Sequence, residues 1–381
     1  MMLLQDILVV DFSQFLSGPS ASLRLADFGA EVIKIERPLT GDICRSLYVS
    51  NVKVEGESTI FHSINRNKKS FVADLKTPSG LEKAKKIITR ADVLIHNFRP
   101  GVMDSFGLSY EDVREIHPGI IYAEISGYGN AGPWRDRPGQ DLLVQAVSGL
   151  TFLSGNRKHP PTPMGVSVAD IYSGAHLVQG ILAALYQKNK TGKGARVQVS
   201  LLESMLDLQF EVITCYYNDG HHLPLRSEIN NANAFVAAPY GIYKTKDGYL
   251  ALAMGSISVL GELLKCPPLT LYKNSSEWFS KRDEIKLILS DHLITQSSRY
   301  WLNILEPNDI WCSEILDYAG LINHDGYKVL KMEQEVVTGS GIEMKTTRCP
   351  VRIDGERLTS SIGAPSLGEH NLEIEKKFGL I

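Results

Sequence analysis

From Ile7 to Ile125, short apolar runs alternate with amphipathic helical ones, and this alternation restricts the fold more than any other feature of the chain. Ile7 to Asp11 is a brief apolar run. Ser20 to Gly29 places Leu23 and Ala26 at helical spacing and stops at a glycine, and Glu31 to Glu36 again reads as a strand. Two strands joined through one helix are expected to lie parallel with a right-handed crossover. The grammar then repeats. Ser70 to Asp74 is strand-like, Pro78 to Arg90 is helical with Lys83, Lys85 and Lys86 as its solvated face, and Ala91 to His96 is a strand. Leu108 to Ile116 is a third helix before the strand Gly119 to Ile125. The pattern predicts an α/β fold with a doubly wound sheet of Rossmann type.

Farther on, a long helix follows Asp170, with Leu177, Ile181 and Leu185 on one stripe; Arg196 to Ser200 is a strand and Leu201 to Tyr217 is helical. Periodicity fails between Gly220 and Pro239, which is read as a linker. A hairpin pattern follows, Tyr240 to Lys244 and Tyr249 to Ala253 around Lys246-Asp247-Gly248, and then helical stretches from Val259 to Leu305. These predict a second, smaller α+β domain, with Thr346 to Ile353 and the tail after Gly363 as sheet and surface segments. The length of 381 residues suits two or three domains. The expected boundaries are 1–219, 220–335 and 336–381.

Composition removes several function classes. Forty basic side chains against 43 acidic ones leave a formal charge of −3, with the signs interspersed, unlike a nucleic-acid coat. No run approaches the ~18 apolar residues of a membrane span. Met1 to Asp6 has neither a basic region nor a cleavage site, so the expectation is a cytoplasmic protein with no nucleic-acid or membrane partner. Cys44, Cys215, Cys266, Cys312 and Cys349 are scattered, without a CxxC pair, and are expected to be buried small hydrophobes.

Five patterns carry possible chemistry. Gly127-Tyr128-Gly129-Asn130-Ala131-Gly132 is a literal GxGxxG after a strand, but Pro133 and Pro138 oppose the helix that a dinucleotide site needs. Gly165-Val166-Ser167-Val168-Ala169 approximates a hydrolase nucleophile elbow but lacks the second glycine and a preceding strand. The adjacent His221 and His222 lack metal-ligand spacing, so no metal is expected. Asp170 heads the long helix, where an acidic residue commonly caps free amides. The small Ser173, Gly174 and Ala175 beside it would also let a ligand or chain approach, and a helix start favours an ionised carboxylate able to act as a nucleophile. Lys34, Arg37, Arg45, Lys68, Lys69, Lys76 and Arg99 each read as solvated surface, yet Arg37, Lys76 and Arg99 follow predicted strands. In a doubly wound sheet those ends share one crevice, suited to a phosphate-bearing ligand, with Phe98 available to stack on a base.

Several stretches together resemble the class III CoA-transferases, a family that includes formyl-CoA transferase, carnitine CoA-transferase and α-methylacyl-CoA racemase. They are Gly18-Pro19, Leu25 to Glu36, Gly41-Asp42, Asp74-Leu75-Lys76, Asn97 to Gly101, Ser126 to Gly129 with Gly132-Pro133, Ala169-Asp170, Thr191 to Gly194, Ala238-Pro239-Tyr240 and Leu367 to His370. They occur in family order, with little similarity between Ser256 and Arg348. The resemblance implies a Rossmann-like large domain built from both chain ends, an inserted small domain and an interlocked ring-like homodimer. It implies Asp170 as the nucleophile and Gln14, Leu16, Arg37, Leu75, Lys76, Asn97, Phe98 and Arg99 as coenzyme A contacts. CoA and acyl-CoA would be substrates, with no permanently bound cofactor. The implied activity moves CoA from an acyl-CoA to a small carboxylic acid, possibly a dicarboxylate, through an aspartyl anhydride and an aspartyl-CoA thioester.

Departures also inform. Gln140 stands where the racemase branch has a proton-transferring histidine, just before Asp141, so Gln140 is a candidate site residue that cannot act as that base. Racemase or isomerase activity and non-catalytic CoA binding are the alternatives. Asn230 to Phe235 replaces the glycine-rich lid of formyl-CoA transferase, and Leu16 and Ser105 replace polar or basic CoA contacts.

Overall fold

The computed structural model describes residues 3–47 and 52–381. The chain forms two compact units, one from Met1–Val144, Ser167–Leu208 and Val329–Ile381, the other from Gln145–Val166 and Gln209–Lys328.

The first unit is built on six parallel strands: β1 (Leu8–Asp11), β2 (Glu31–Glu36), β3 (Lys69–Val72), β4 (Val93–His96), β5 (Ile121–Ser126) and β6 (Ala195–Ser200). Their order is β3-β2-β1-β4-β5-β6. The order reverses between β1 and β4, so the loops leaving these two strands diverge and open a crevice at their carboxyl ends. Alternation along each strand loads both faces. Val10, Ile33, Leu94 and Tyr122 are buried with Ile87 and Ile88 of α2 (Pro78–Ile88) and Val113 of α3 (Tyr110–Ile116). Toward the other face, α1 (Ser17–Asp27) packs closely on α4 (Val168–Thr191).

Helix α4 is long and apolar enough, by length and composition, to cross a bilayer. It packs as a core helix: Leu177 and Ile181 are fully buried, and a Cβ on Gly174 would come within 2.8 Å of the Ser17 carbonyl and closer still to Ser20 Oγ. Gly174 therefore admits the close approach of helix α1. The tail after Gly363 is also not sheet. Asn371–Phe378 is a helix whose Ile374 and Phe378 join the α2 and α3 core. Of its three apolar residues only Ile374 and Phe378 are buried, too few to announce a helix.

In the second unit, an antiparallel sheet of Cys312–Glu314, Tyr249–Leu252 and Gly241–Lys244 packs Tyr243, Leu250 and Leu252 against helices Ile257–Leu263, Arg282–Leu293 and Ser298–Leu305. Its stretch Gln145–Val166 lies outside the expected 220–335, since its short 3-10 turn at Leu150–Phe152 gives the sequence no periodicity to read. The expected linker is also a fastened loop. Arg282 Nη1 donates to the Ala234 carbonyl at 3.0 Å, Lys286 Nζ to Ser227 Oγ and the Asn230 carbonyl at 3.0 Å each, and Arg226 Nη2 to the His159 carbonyl at 2.7 Å. Buried cations here replace the backbone ladder that regular structure would supply. Among the cysteines, Cys44, Cys266 and Cys349 are buried, but Cys312 is half-buried and Cys215 is exposed.

Candidate active site

The long helix α4 begins after Ser167, so Asp170 sits in its first turn rather than capping it, and Ser167 is a helix start rather than a nucleophile elbow. Capping comes from elsewhere in the chain. The Ala169 N–H donates to Asp141 Oδ1 at 2.7 Å. Asp141 opens the helix Asp141–Val147 and thereby satisfies one of the orphan amides of α4. The Asp170 carboxylate is left half-buried, without a hydrogen-bond partner among the described residues. Burial, and secondly the Asp141 carboxylate, push its pKa up to about 7. The expectation that the helix start keeps it ionised is thus corrected: desolvation and a like charge outweigh the helix end, and at pH 7 about half of the carboxyls are charged.

Asp141 is delivered by the loop that contains the GxGxxG pattern. Gly127 and Gly139 meet backbone to backbone: a Cβ on Gly127 would lie 2.6 Å from the Gly139 Cα. Tyr128 Oη donates to the Pro138 carbonyl at 3.3 Å and Asn130 Nδ2 to Glu124 Oε1 at 2.9 Å. The glycine is needed for this close approach, and no helix begins before Asp141, so the phosphate-cradling geometry is absent. Gln140 closes the loop with an exposed side chain, its carbonyl accepting from the Val144 N–H at 3.0 Å.

The residues proposed to meet CoA lie around the carboxyl ends of β1 to β4. Asn97, just past β4, is a clamp. Its Oδ1 accepts from the Gln14 N–H at 2.8 Å, and its Nδ2 donates to the Gln14 carbonyl at 2.7 Å and Ser17 Oγ at 3.1 Å. Leu16 packs with Ile60 on a small cluster around Cys44 and Phe61, and Leu75 packs on the main core. Phe98 packs on the core too and stacks on His96 at 6.1 Å between centroids. Arg37, Lys76 and Arg99 are exposed; Arg37 Nε donates to the Gly41 carbonyl at 2.9 Å.

Beneath this loop lies a buried ion network that sequence reasoning missed. Lys34 Nζ meets Asp42 Oδ2 at 2.8 Å and donates to the Ser13 carbonyl at 2.7 Å. Lys68 Nζ approaches Asp11 Oδ2 at 3.4 Å, and Arg45 Nη2 pairs with Glu36 Oε1 at 2.7 Å. Lys34, Arg45 and Lys68, expected at the surface, are therefore buried and paired. Phe15, held between these anchors by its N–H to Asp42 Oδ1 at 3.1 Å, has φ of 61°, a strained conformation for a residue with a Cβ. The available signal was the charged side chains within otherwise apolar strands. His222 bonds only to Asp219, and no group of potential metal ligands occurs among the described residues.

The sequence profile of CoA-transferase family III matches residues 4–371. The chain belongs to this family. It is 33% identical over 385 aligned residues to a human succinyl-CoA:glutarate CoA-transferase, covering 98% of this chain and 85% of that protein. An acetyl-CoA:oxalate CoA-transferase of Acetobacter aceti is 31% identical, covering 98% and 95% respectively. Among solved structures, a CaiB/BaiF family protein of Brucella suis superposes with a TM-score of 0.83 at 30% identity, covering 98% of each chain. The protein is a class III CoA-transferase, acting between an acyl-CoA and a carboxylic acid.

Proposed function

We propose that this enzyme moves CoA from a short acyl-CoA to a short dicarboxylic acid through covalent intermediates on Asp170. The single observation carrying this reading is the unpartnered Asp170 carboxylate in the first turn of α4, left unengaged because Asp141 takes the helix amide. The Asp170 carboxylate attacks the donor thioester carbonyl, the C–S bond breaks, and CoA thiolate leaves an aspartyl anhydride. The thiolate then attacks the aspartyl carbonyl, releasing the donor acid and forming an aspartyl-CoA thioester. An acceptor carboxylate displaces the thiolate to give a second anhydride. Thiolate attack on the acceptor carbonyl then releases the new acyl-CoA and restores Asp170. A carboxylate suits this chemistry because both intermediates are acyl derivatives of comparable reactivity, and water must be kept out of the site. Succinyl-CoA with glutarate, acetyl-CoA with oxalate, and succinyl-CoA with mesaconate in a Haloarcula hispanica relative support a dicarboxylate partner.

Gln14, Leu16, Arg37, Leu75, Lys76, Asn97, Phe98 and Arg99 are proposed to line the CoA path, Asn97 by shaping the Gln14 loop and Arg37, Lys76 and Arg99 as exposed cations for phosphates. Gln140 is proposed to contact the reacting groups as a neutral amide. The 3-2-1-4-5-6 strand order supports a Rossmann-like reading of the first unit. A homodimer is proposed as well: Leu142, Leu143, Ile171, Leu182, Tyr186 and Leu206 are exposed apolar side chains of this unit. Free cysteines and a near-neutral charge are consistent with a cytoplasmic location.

The test is incubation with a panel of acyl-CoAs, followed by mass spectrometry of the Asp170 peptide. A hydroxylamine-sensitive adduct is expected, and its absence across the panel would refute the covalent route.

A further inference from the structure

The backbone of Ser13, Gln14 and Phe15, just past the carboxyl end of β1, is tied down by side chains rather than by neighbouring strands. Asp11 Oδ1 accepts from the Ser13 N–H at 2.9 Å, and Lys34 Nζ donates to the Ser13 carbonyl. Asn97 engages both backbone groups of Gln14, and Asp42 Oδ1 accepts the Phe15 N–H at 3.1 Å. Phe15 is 46% exposed, so its ring does little to enforce the φ of 61°. A left-handed residue with a Cβ persists only where its surroundings impose it, and the hydrogen bond that reaches Phe15 comes from Asp42.

Asp42 is in turn placed by a chain of hydrogen bonds that starts near the other end of the sequence. The Gly368 N–H donates to Ser70 Oγ at 2.9 Å, Ser70 Oγ to Glu36 Oε1 at 2.7 Å, and the Asp42 N–H to Glu36 Oε2 at 2.9 Å. Arg45 closes the same node: its Nε and Nη2 reach the two Glu36 oxygens at 2.8 and 2.7 Å, and Nη2 also donates to the Pro365 carbonyl at 3.1 Å. A Cβ on Gly41 would lie 2.6 Å from Glu36 Oε2, so the turn before Asp42 approaches that carboxylate as only glycine can. The same returning segment covers the edge strand β3, where Asn371 Oδ1 accepts the Val72 N–H at 2.9 Å. The Glu36 and Asp42 side chains are 0% and 1% exposed, so neither can touch a substrate. Any effect they have on the reaction passes through the backbone they hold.

We propose that Asp42, set in place by Glu36, is a positioning residue that holds Phe15 in its left-handed conformation and so keeps the Gln14 loop in the shape that accepts CoA. The proposal rests on the reading that Gln14 and Leu16 line the CoA path. Without the tether, the strained residue relaxes to negative φ, the loop is competent only part of the time, and the apparent affinity falls by that fraction. Once CoA is bound, the loop is already in the competent shape and the chemistry at Asp170 proceeds as before. Docking of the segment from Pro365 to Asn371 on β3 is thereby coupled to the shape of a loop at the crevice.

The experiment is calorimetric titration of the full-length protein with CoA, paired with the limiting rate of Asp170 adduct formation at saturating succinyl-CoA, on Asp42→Ala, Asp42→Asn, Phe15→Gly and the Asp42→Ala/Phe15→Gly double variant. Asp42→Ala should weaken CoA binding about tenfold, the penalty of one left-handed residue with a Cβ. Its limiting rate should stay within about twofold, a split that a general loss of structure would not give. Asp42→Asn keeps an acceptor for the Phe15 N–H and should bind CoA within about threefold of the parent. Glycine takes this φ without strain, so in the Phe15→Gly background Asp42→Ala should weaken binding by no more than about threefold. Equal weakening in both backgrounds, or none in either, overturns the proposal. Should Asp42→Ala not fold, Ser70→Ala decides in its place, since it breaks the chain at Glu36 while leaving the charges paired; an unchanged CoA affinity then overturns the proposal. Gln14→Ala separates the two readings. If it leaves CoA affinity unchanged, the CoA path is misplaced and this proposal falls with it; if it weakens CoA while Asp42→Ala does not, only this proposal fails.

Discussion

Asp141→Asn isolates the electrostatic part of the site from its architecture. The asparagine Oδ1 still accepts the Ala169 N–H that Asp141 accepts at 2.7 Å, so the start of α4 keeps its cap. What disappears is a negative charge next to Asp170, the second cause of its elevated pKa after burial. Burial dominates that rise, and the Asp141 share of it is taken as about one pH unit, equivalent to ~1.4 kcal/mol. With the parent carboxyl at about 7, roughly a tenth is ionised at pH 6; in the variant the ionised share is about half. The assay is the pH dependence of the initial rate of Asp170 adduct formation under single-turnover conditions, with acyl-CoA saturating. Its acid limb should move down by about one pH unit, with a severalfold faster rate at pH 6 and little change above pH 8. An acid limb that stays in place, with helical content unchanged, would show that Asp141 does not govern the ionisation of Asp170 and refute this reasoning.

Two further outcomes follow from the same geometry. Because the folded-state pKa of Asp170 is raised, the native protein binds more protons than the unfolded chain between about 4 and about 7, so this group lowers stability as pH rises through that window. Asp170→Asn should therefore abolish turnover yet raise the melting temperature at pH 8, with a smaller gain at pH 5, read by scanning calorimetry; equal gains at both would contradict the assignment. Gly139→Ala puts a methyl group 2.4 Å from the Gly127 Cα, which backbone can relieve only by shifting the loop that carries Asp141. Adduct formation should fall at least tenfold while the melting temperature changes by only a few degrees, and unaltered kinetics would remove the loop from the mechanism.

The parallel sheet was legible in the sequence because β1 to β5 are short apolar runs separated by helices, a pattern with few topological solutions. The role proposed for Asp170 was suggested in the sequence only by the company of family motifs, since an acidic residue at a helix start reads equally well as a cap. Structure reversed that default by assigning the cap to Asp141, whose carboxylate accepts the Ala169 N–H from 28 positions earlier in the chain. Lys34, Arg45 and Lys68 were misread as surface because a buried charge is tolerated only beside a partner, and Asp11, Asp42 and Glu36 are brought to them by folding. The helix Asn371–Phe378 and the fastened loop before Pro239 were missed for a related reason: their stability comes from distant partners, not from local periodicity.

What the sequence determined by itself is therefore everything that depends on near neighbours: strand and helix order, the absence of dinucleotide geometry after Gly127, and the family. What only the tertiary structure decided is the ionisation of Asp170 and the burial of the ion network under the Gln14 loop. Each depends on which groups are removed from water together, and desolvation is a property of the packed molecule rather than of any stretch of chain.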